Sequence, residues 1–233
     1  MNKKIIISII FLVLLSSVSF VSAISSGYNL EIANINIQKG WNLVPLIYDY
    51  HIIAEDSDIK LQDIKVAYMY PPIENKYVKY IEKGRVLRGN TGHFWISEEE
   101  IRKIIASKQY LIDSEADARN LTFGMSSWVY INKTGNIKIN IGHDSDGDKI
   151  LISGWSFLII TPEMIGKNLS QIKGGCDIIK SYAWWAEKQT WDLIDLNDAP
   201  FDNNLMGMGI IVKVSNDCVL SSASPTIPPP LPN

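Results

Sequence analysis

From Leu30 onward apolar residues fall at every second position, Leu30 and Ile32 on one parity and Ile35 and Ile37 on the other. Such alternation predicts a strand, and the slip near Ala33-Asn34 predicts a bulge in it ahead of a turn at Gly40. Trp41 to Ile47 is almost continuously apolar, the pattern of a strand buried on both faces. Ile64 to Tyr70 predicts another strand, Pro71-Pro72-Ile73-Glu74-Asn75 interrupts it, and Lys76 to Ile81 predicts its hairpin partner. Ser97-Glu98-Glu99-Glu100 reads as a capped, acidic helix start running to about Lys108, and Gly124 to Ile131 predicts a closing strand.

The same pattern then returns. Gly40-Trp41-Asn42-Leu43-Val44-Pro45-Leu46 is matched by Gly154-Trp155-Ser156-Phe157-Leu158-Ile159-Ile160, an offset of 114. At that offset Tyr68 meets Tyr182, Tyr70 meets Trp184 and Tyr77 meets Trp191. Ile150 to Ile160 predicts one strand, and Thr161-Pro162-Glu163 opens a short helix over Met164 to Ile172 that stops at Gly174-Gly175. Asp177 to Trp185 and Thr190 to Ile194 predict a hairpin around Ala186-Glu187-Lys188-Gln189, and Met208 to Val214 a closing strand. The closing segments align at an offset of 83, so the first copy carries about 31 additional residues, among them the helix at about 97–108.

The fold class expected is therefore α+β and β-rich, a tandem repeat of two small, mainly antiparallel β modules, each with a short helix. The expected organisation is a signal peptide over 1–23, module 1 over 24–142, an acidic linker over 143–148, module 2 over 149–220 and a Pro-rich tail over 221–233. The tail holds Pro225, Pro228, Pro229, Pro230 and Pro232, a composition that favours extended, unpacked chain.

Lys3 and Lys4 before an apolar run ending at Val21-Ser22-Ala23 form the pattern of an export signal. The competing reading, an uncleaved anchor, leaves that segment as the sole membrane contact. Loss of residues 1–23 leaves 20 basic against 25 acidic residues, a formal charge of −5, which argues against nucleic acid as a partner. Localisation is expected to be secreted or at the cell surface.

Only two cysteines occur, Cys176 and Cys218, both in the second copy. Export favours a disulfide between them, and two buried thiols are the alternative. Two residues apart in a strand share a face, so Tyr182 and Trp184 point together across the hairpin from Trp191, with Trp185 off that face and beside the turn. These four rings are the candidate ligand-binding set, against a reading in which aromatic pairs only stabilise the hairpin. Trp41 and Trp155 are read as core anchors at the mouths of their strands.

Asp144, Asp146 and Asp148 are candidate calcium ligands, although the glycine spacing departs from an EF-hand and an acidic turn is the plainer reading. No other cofactor is implied. Asn120, Asn132 and Asn168 head glycosylation triplets. Catalysis has little to stand on. His51, His93 and His143 have no counterparts between the copies, and Gly154-Trp155-Ser156-Phe157-Leu158 lacks the closing glycine of a nucleophile elbow.

The openings Gly40-Trp41-Asn42-Leu43 and Gly154-Trp155-Ser156-Phe157 resemble secreted surface-protein modules of archaea and bacteria, which open on Gly-Trp-Asn-Leu and close on a Gly-Tyr-Trp strand. The closings here are Gly124-Met125-Ser126-Ser127-Trp128-Val129-Tyr130 and Gly207-Met208-Gly209-Ile210-Ile211-Val212, and no tyrosine precedes Trp128. Cys176 and Cys218 match the cysteine placement of some of these modules. The resemblance implies a non-catalytic, exported structural or adhesion protein whose partners are envelope proteins or polysaccharide. The alternatives are a carbohydrate-binding module using the hairpin rings and, more weakly, an envelope hydrolase.

Overall fold

The structure, a computed structural model, describes residues 30–45, 56–71, 75–87, 125–142 and 149–221. The signal segment, the helix expected at about 97–108, the acidic linker and the tail beyond Ser221 lie outside the described residues. From Glu31 onward the described residues belong to one compact unit, and their fold is β-rich with mainly antiparallel pairing.

Strand β1 (Leu30–Ile37) runs without interruption, with Ala33, Ile35 and Ile37 buried and Ile32 56 % exposed. The expected slip is thus one strand with an outward-facing isoleucine. After a two-residue corner comes β2 (Gly40–Pro45), which Gly40 enters at a φ of 111° that side chains rarely tolerate. Asn42, fully buried, holds that corner closed. Its Oδ1 accepts from Gln38 N at 2.9 Å, and its Nδ2 donates to Gln38 O at 2.8 Å and Gly40 O at 3.1 Å. Asn42→Ala is expected to lower the unfolding free energy by about 2 kcal/mol in urea titration, because partly buried backbone groups of Gln38 and Gly40 lose their partners. A loss within the error of the titration would mean that the corner stands without the amide.

Three further strands follow, β3 (Ile64–Met69), β4 (Val78–Glu82) and β5 (Arg85–Val86), with a 3-10 turn at Leu61–Asp63 ahead of them. Asp63 caps that turn through Lys60 N at 2.8 Å and pairs with Lys133 at 2.8 Å. Burial raises its pKa, but the hydrogen bonds from Lys133 and Lys60, together with the positive charges of Lys133 and Lys65, hold the carboxyl below its ordinary value. Strands β6 (Ser126–Ile131) and β7 (Gly135–Gly142) complete this half; Ile137, Ile139 and Ile141 line one buried parity of β7.

The run expected as one strand over Ile150 to Ile160 is two, β8 (Lys149–Leu151) and β9 (Gly154–Ile159), in different sheets. The break lies at Ser153, held by Asp217 Oδ1 and Ser215 O, and at Gly154 with a φ of 110°. The helix expected over Met164 to Ile172 is also divided. Pro162–Met164 is a 3-10 turn, Gly166 at φ 78° ends it, and only α1 (Leu169–Ile172) is α-helical among the described residues. Its cap is Asn168, reciprocally bonded with Gln171; Thr161 makes no side-chain cap. Strands β10 (Ile178–Trp185), β11 (Thr190–Leu193), β12 (Gly209–Val214) and β13 (Cys218–Leu220) finish the chain.

The larger sheets have the orders β2-β6-β3-β4-β5 and β9-β12-β10-β11. Their registers correspond at the offsets of 114 and 83. Trp41 faces Tyr130 where Trp155 faces Lys213, and Ile64 faces Ile131 where Ile178 faces Val214. A register slip follows at the same place in both, between Ile64 and Val66 and between Ile178 and Lys180. The two-stranded sheets β1-β7 and β8-β13 accompany them.

Each large sheet turns one parity to its own aliphatic cluster. Ala67, Met69, Val129 and Ile131 face the first, together with Ile35, Ile37 and Ile81; Leu158, Ile210, Val212 and Val214 face the second, with Leu169 and Ile172. The Cys176–Cys218 disulfide lies buried in the second cluster. The other parity of both sheets meets at a seam where Leu43, Phe157 and Ile211 pack with Tyr70, Trp128, Trp155, Tyr182 and Trp184.

Candidate functional site

Strand periodicity sets up this seam. Tyr68 on β3, Trp128 on β6, and Tyr182 and Trp184 on β10 all occupy the parity that faces away from the aliphatic clusters, and Tyr70, just past the end of β3, joins them in the seam. Where the seam opens to solvent it leaves a cleft of about 430 Å³ lined by Trp41, Tyr68, Tyr77, Trp128, Trp184 and Trp191. Every described lining residue is aromatic.

Trp128 sits at its centre, edge-to-face with Trp184 at 4.8 Å and 82°, with Trp191 at 5.3 Å and 78°, and with Trp41 at 6.1 Å and 82°. Trp184 and Trp191 meet at 5.2 Å and 75°. Such perpendicular contacts are the favoured geometry of ring quadrupoles and make walls at right angles, not a flat platform. Behind them Tyr70 stacks on Phe157 at 5.0 Å and meets Tyr77 edge-on at 5.2 Å. The Tyr70 hydroxyl donates to Asn75 Oδ1, and burial, with Tyr77 beside it, raises its pKa above the ordinary value.

The hairpin turn is fastened to the start of β2. Gln189 Oε1 accepts from Trp41 N at 3.0 Å and its Nε2 donates to Trp41 O at 2.9 Å, a two-point grip on the start of β2. Trp184 Nε1 donates to the same carbonyl at 2.9 Å. A Cβ on Gly40 would also lie 2.8 Å from Gln189 Oε1, so a side chain there would push that amide aside.

Of the four candidate rings, Trp184 and Trp191 line the cleft. Tyr182 lies in the same aromatic layer, 6.1 Å from Trp155 and 6.2 Å from Trp191. Trp185 is on the opposite parity, 44 % exposed, with Lys188 Nζ 4.5 Å over its ring. Trp191 and Tyr77 are 37 % and 54 % exposed. Trp41 and Trp155, expected as core anchors, are only partly buried and belong to the seam; the fully buried positions of their strands follow them. Sequence reasoning missed Trp128, Tyr68 and Tyr77 as partners of the hairpin rings, and missed Gln189 altogether. The matching parity of these aromatics was the available signal.

Asp144, Asp146, Asp148, Asn120 and the three histidines lie outside the described residues, and no group of metal-ligating side chains occurs among the described ones. Asn132 is exposed in the turn between β6 and β7, while Asn168 is half-buried and accepts Ser170 Oγ at 2.8 Å besides capping α1. Compared with known proteins, the chain matches no protein family, no curated protein and no solved structure.

Proposed function

We propose that this chain is an exported, non-catalytic surface protein, an adhesion or structural component built from two copies of one small β module, that holds its partner in the aromatic cleft. The observation that carries the reading is the cleft itself: six rings brought together from both large sheets, partly exposed, with no charged group among its described lining. Concave, mostly apolar sites with a few donors are the common form of a binding site. The recurrence of strand order and register at the two offsets supports a repeated module, with its short helix described only in the second copy, as does the resemblance of the Gly-Trp openings. The buried disulfide supports an oxidising, extracellular setting, and no described helix is long and apolar enough to cross a membrane.

A second reading, carbohydrate binding, is favoured by the exposure of Trp185 and Trp191. Iodide quenching of tryptophan fluorescence across a panel of cell-wall polysaccharides separates the two. The structural or adhesion reading expects the same quenching with every glycan. Protection by one glycan, abolished in Trp191→Ala, would make this a carbohydrate-binding module. Release of reducing ends from any glycan would overturn the non-catalytic reading.

A further inference from the structure

The cleft is unusual in the chemistry of its walls. Indole N–H groups donate and accept nothing, that of Trp184 is already given to Trp41 O, and the hydroxyls of Tyr68 and Tyr77 both donate and accept, so the described lining offers ring faces and a few hydrogen-bonding groups without a carboxylate or amide. The one amide beside it, Gln189, is held on Trp41 and on Ala186 O at 2.6 Å. Sugar hydroxyls need both donors and acceptors around them, and on the described lining only the side-chain hydroxyls of Tyr68 and Tyr77 can accept. A run of prolines needs only donors, since it has carbonyls and no N–H, and its flat rings pack on aromatic faces. In the polyproline II form it is already extended, so little conformational freedom is lost on docking into an aromatic-lined groove.

This chain carries such a run. Pro225-Thr226-Ile227-Pro228-Pro229-Pro230-Leu231-Pro232 has no charged side chain, as the cleft lining has none. At about 3.1 Å per residue it spans about 25 Å in polyproline II. We propose that the cleft binds the Pro225–Pro232 segment of a second copy of this chain, a reading that rests on the cleft being the partner site. A second copy is favoured over the chain's own tail by where the described chain stops. Ser221 N donates to Ile172 O at 3.0 Å, and Leu220 and Cys218 pack in the second aliphatic cluster. That cluster lies on the face of the β9-β12-β10-β11 sheet opposite Trp184 and the cleft. One cleft and one tail per copy make a head-to-tail contact, which propagates into rings or filaments, as an assembling surface component requires.

The test uses the full chain, a full-length variant with Pro228→Ala, Pro229→Ala and Pro230→Ala, and a synthetic peptide of residues 221–233. The full chain is expected to self-associate with rising concentration in sedimentation velocity, and the proline variant to stay monomeric with an unchanged circular dichroism spectrum. The peptide added to the proline variant is expected to shift its tryptophan emission saturably and to protect it from iodide, about tenfold more weakly when Trp191→Ala is also present. Peptide binding with a full chain that stays monomeric at every concentration would overturn the second-copy assignment. No response to the peptide would overturn the proline-rich occupant. If a wall polysaccharide then gives the protection that the peptide does not, the structural or adhesion reading falls too; a flat response to both leaves that reading standing with this inference rejected.

Discussion

Gly209→Ala is expected to lower stability by about 3 kcal/mol and to open the seam between the large sheets. The reason is space, not backbone conformation. A Cβ on Gly209 would lie 2.4 Å from Leu43 Cγ, 2.8 Å from Leu43 O and 2.9 Å from Ser126 Cβ. The leucine tip can rotate away, but the carbonyl belongs to β2 and cannot move without its strand. The sheets must separate by a fraction of an ångström where Leu43, Phe157 and Ile211 pack, and interiors at crystal-like density tolerate this poorly. Urea unfolding should show the loss, and iodide should reach tryptophans that the wild type shields. Gly154→Ala is the control: a Cβ there meets nothing within 4 Å, so only its φ of 110° is penalised, by about 1–2 kcal/mol. Equal losses in the two variants, with unchanged quenching, would show that Gly209 is not where the sheets meet closely. Leu43→Ala combined with Gly209→Ala should recover part of the loss, since it removes the side-chain clash and leaves the carbonyl.

Removing the disulfide, with Cys176→Ala and Cys218→Ala together, is expected to lower stability by about 4 kcal/mol. The bridge closes a separation of 42 residues, and chain-entropy arguments give about that value for a loop of this length. Melting temperature should fall by roughly 12 °C, at the 2–4 °C per kcal/mol usual for a chain of this size. The two sulfurs lie buried among Leu151, Leu169, Ile172 and Leu220, so the alanines also leave the packing thinner. The bridge joins the segment after α1 to β13 on the far face of the second sheet. The aromatic seam is on the near face, so the cleft should survive at low temperature with its emission unchanged. A melting temperature that does not move would mean that packing and backbone pairing, such as the Ser221–Ile172 hydrogen bond and the Lys173–Ser221 bridge, suffice to hold α1 and β13 together.

The two losses act on different faces of one sheet, and that division follows from the two-residue period of a strand. Consecutive residues Ile210, Ile211 and Val212 alternate between the second aliphatic cluster and the seam. The division was legible in the chain from Ser181-Tyr182-Ala183-Trp184, where small and aromatic side chains alternate, and equally from Ala67-Tyr68-Met69-Tyr70. The hairpin at Ala186–Gln189 was legible as well, because a polar turn separated two apolar runs. The corner at Ser153-Gly154 was not. The apolar run from Ile150 to Ile160 has no polar gap wide enough to announce that a left-handed glycine sends its two halves into different sheets.

By itself, then, the sequence determined most of the long strands, the pairing of the hairpin arms and the sole pair of cysteines, which depend on neighbours a few residues apart or on composition, but it did not announce β5, β7 or β13. Only the tertiary structure decided that the aromatic faces of two sheets meet, bringing Trp41 and Trp128 to Trp184 and Trp191. That meeting depends on surface fit between segments far apart in the chain, on the missing Cβ of Gly209 against Leu43 and on the grip of Gln189 on Trp41. A local period reports which way a side chain points; it carries nothing about the distant surface that comes to lie opposite.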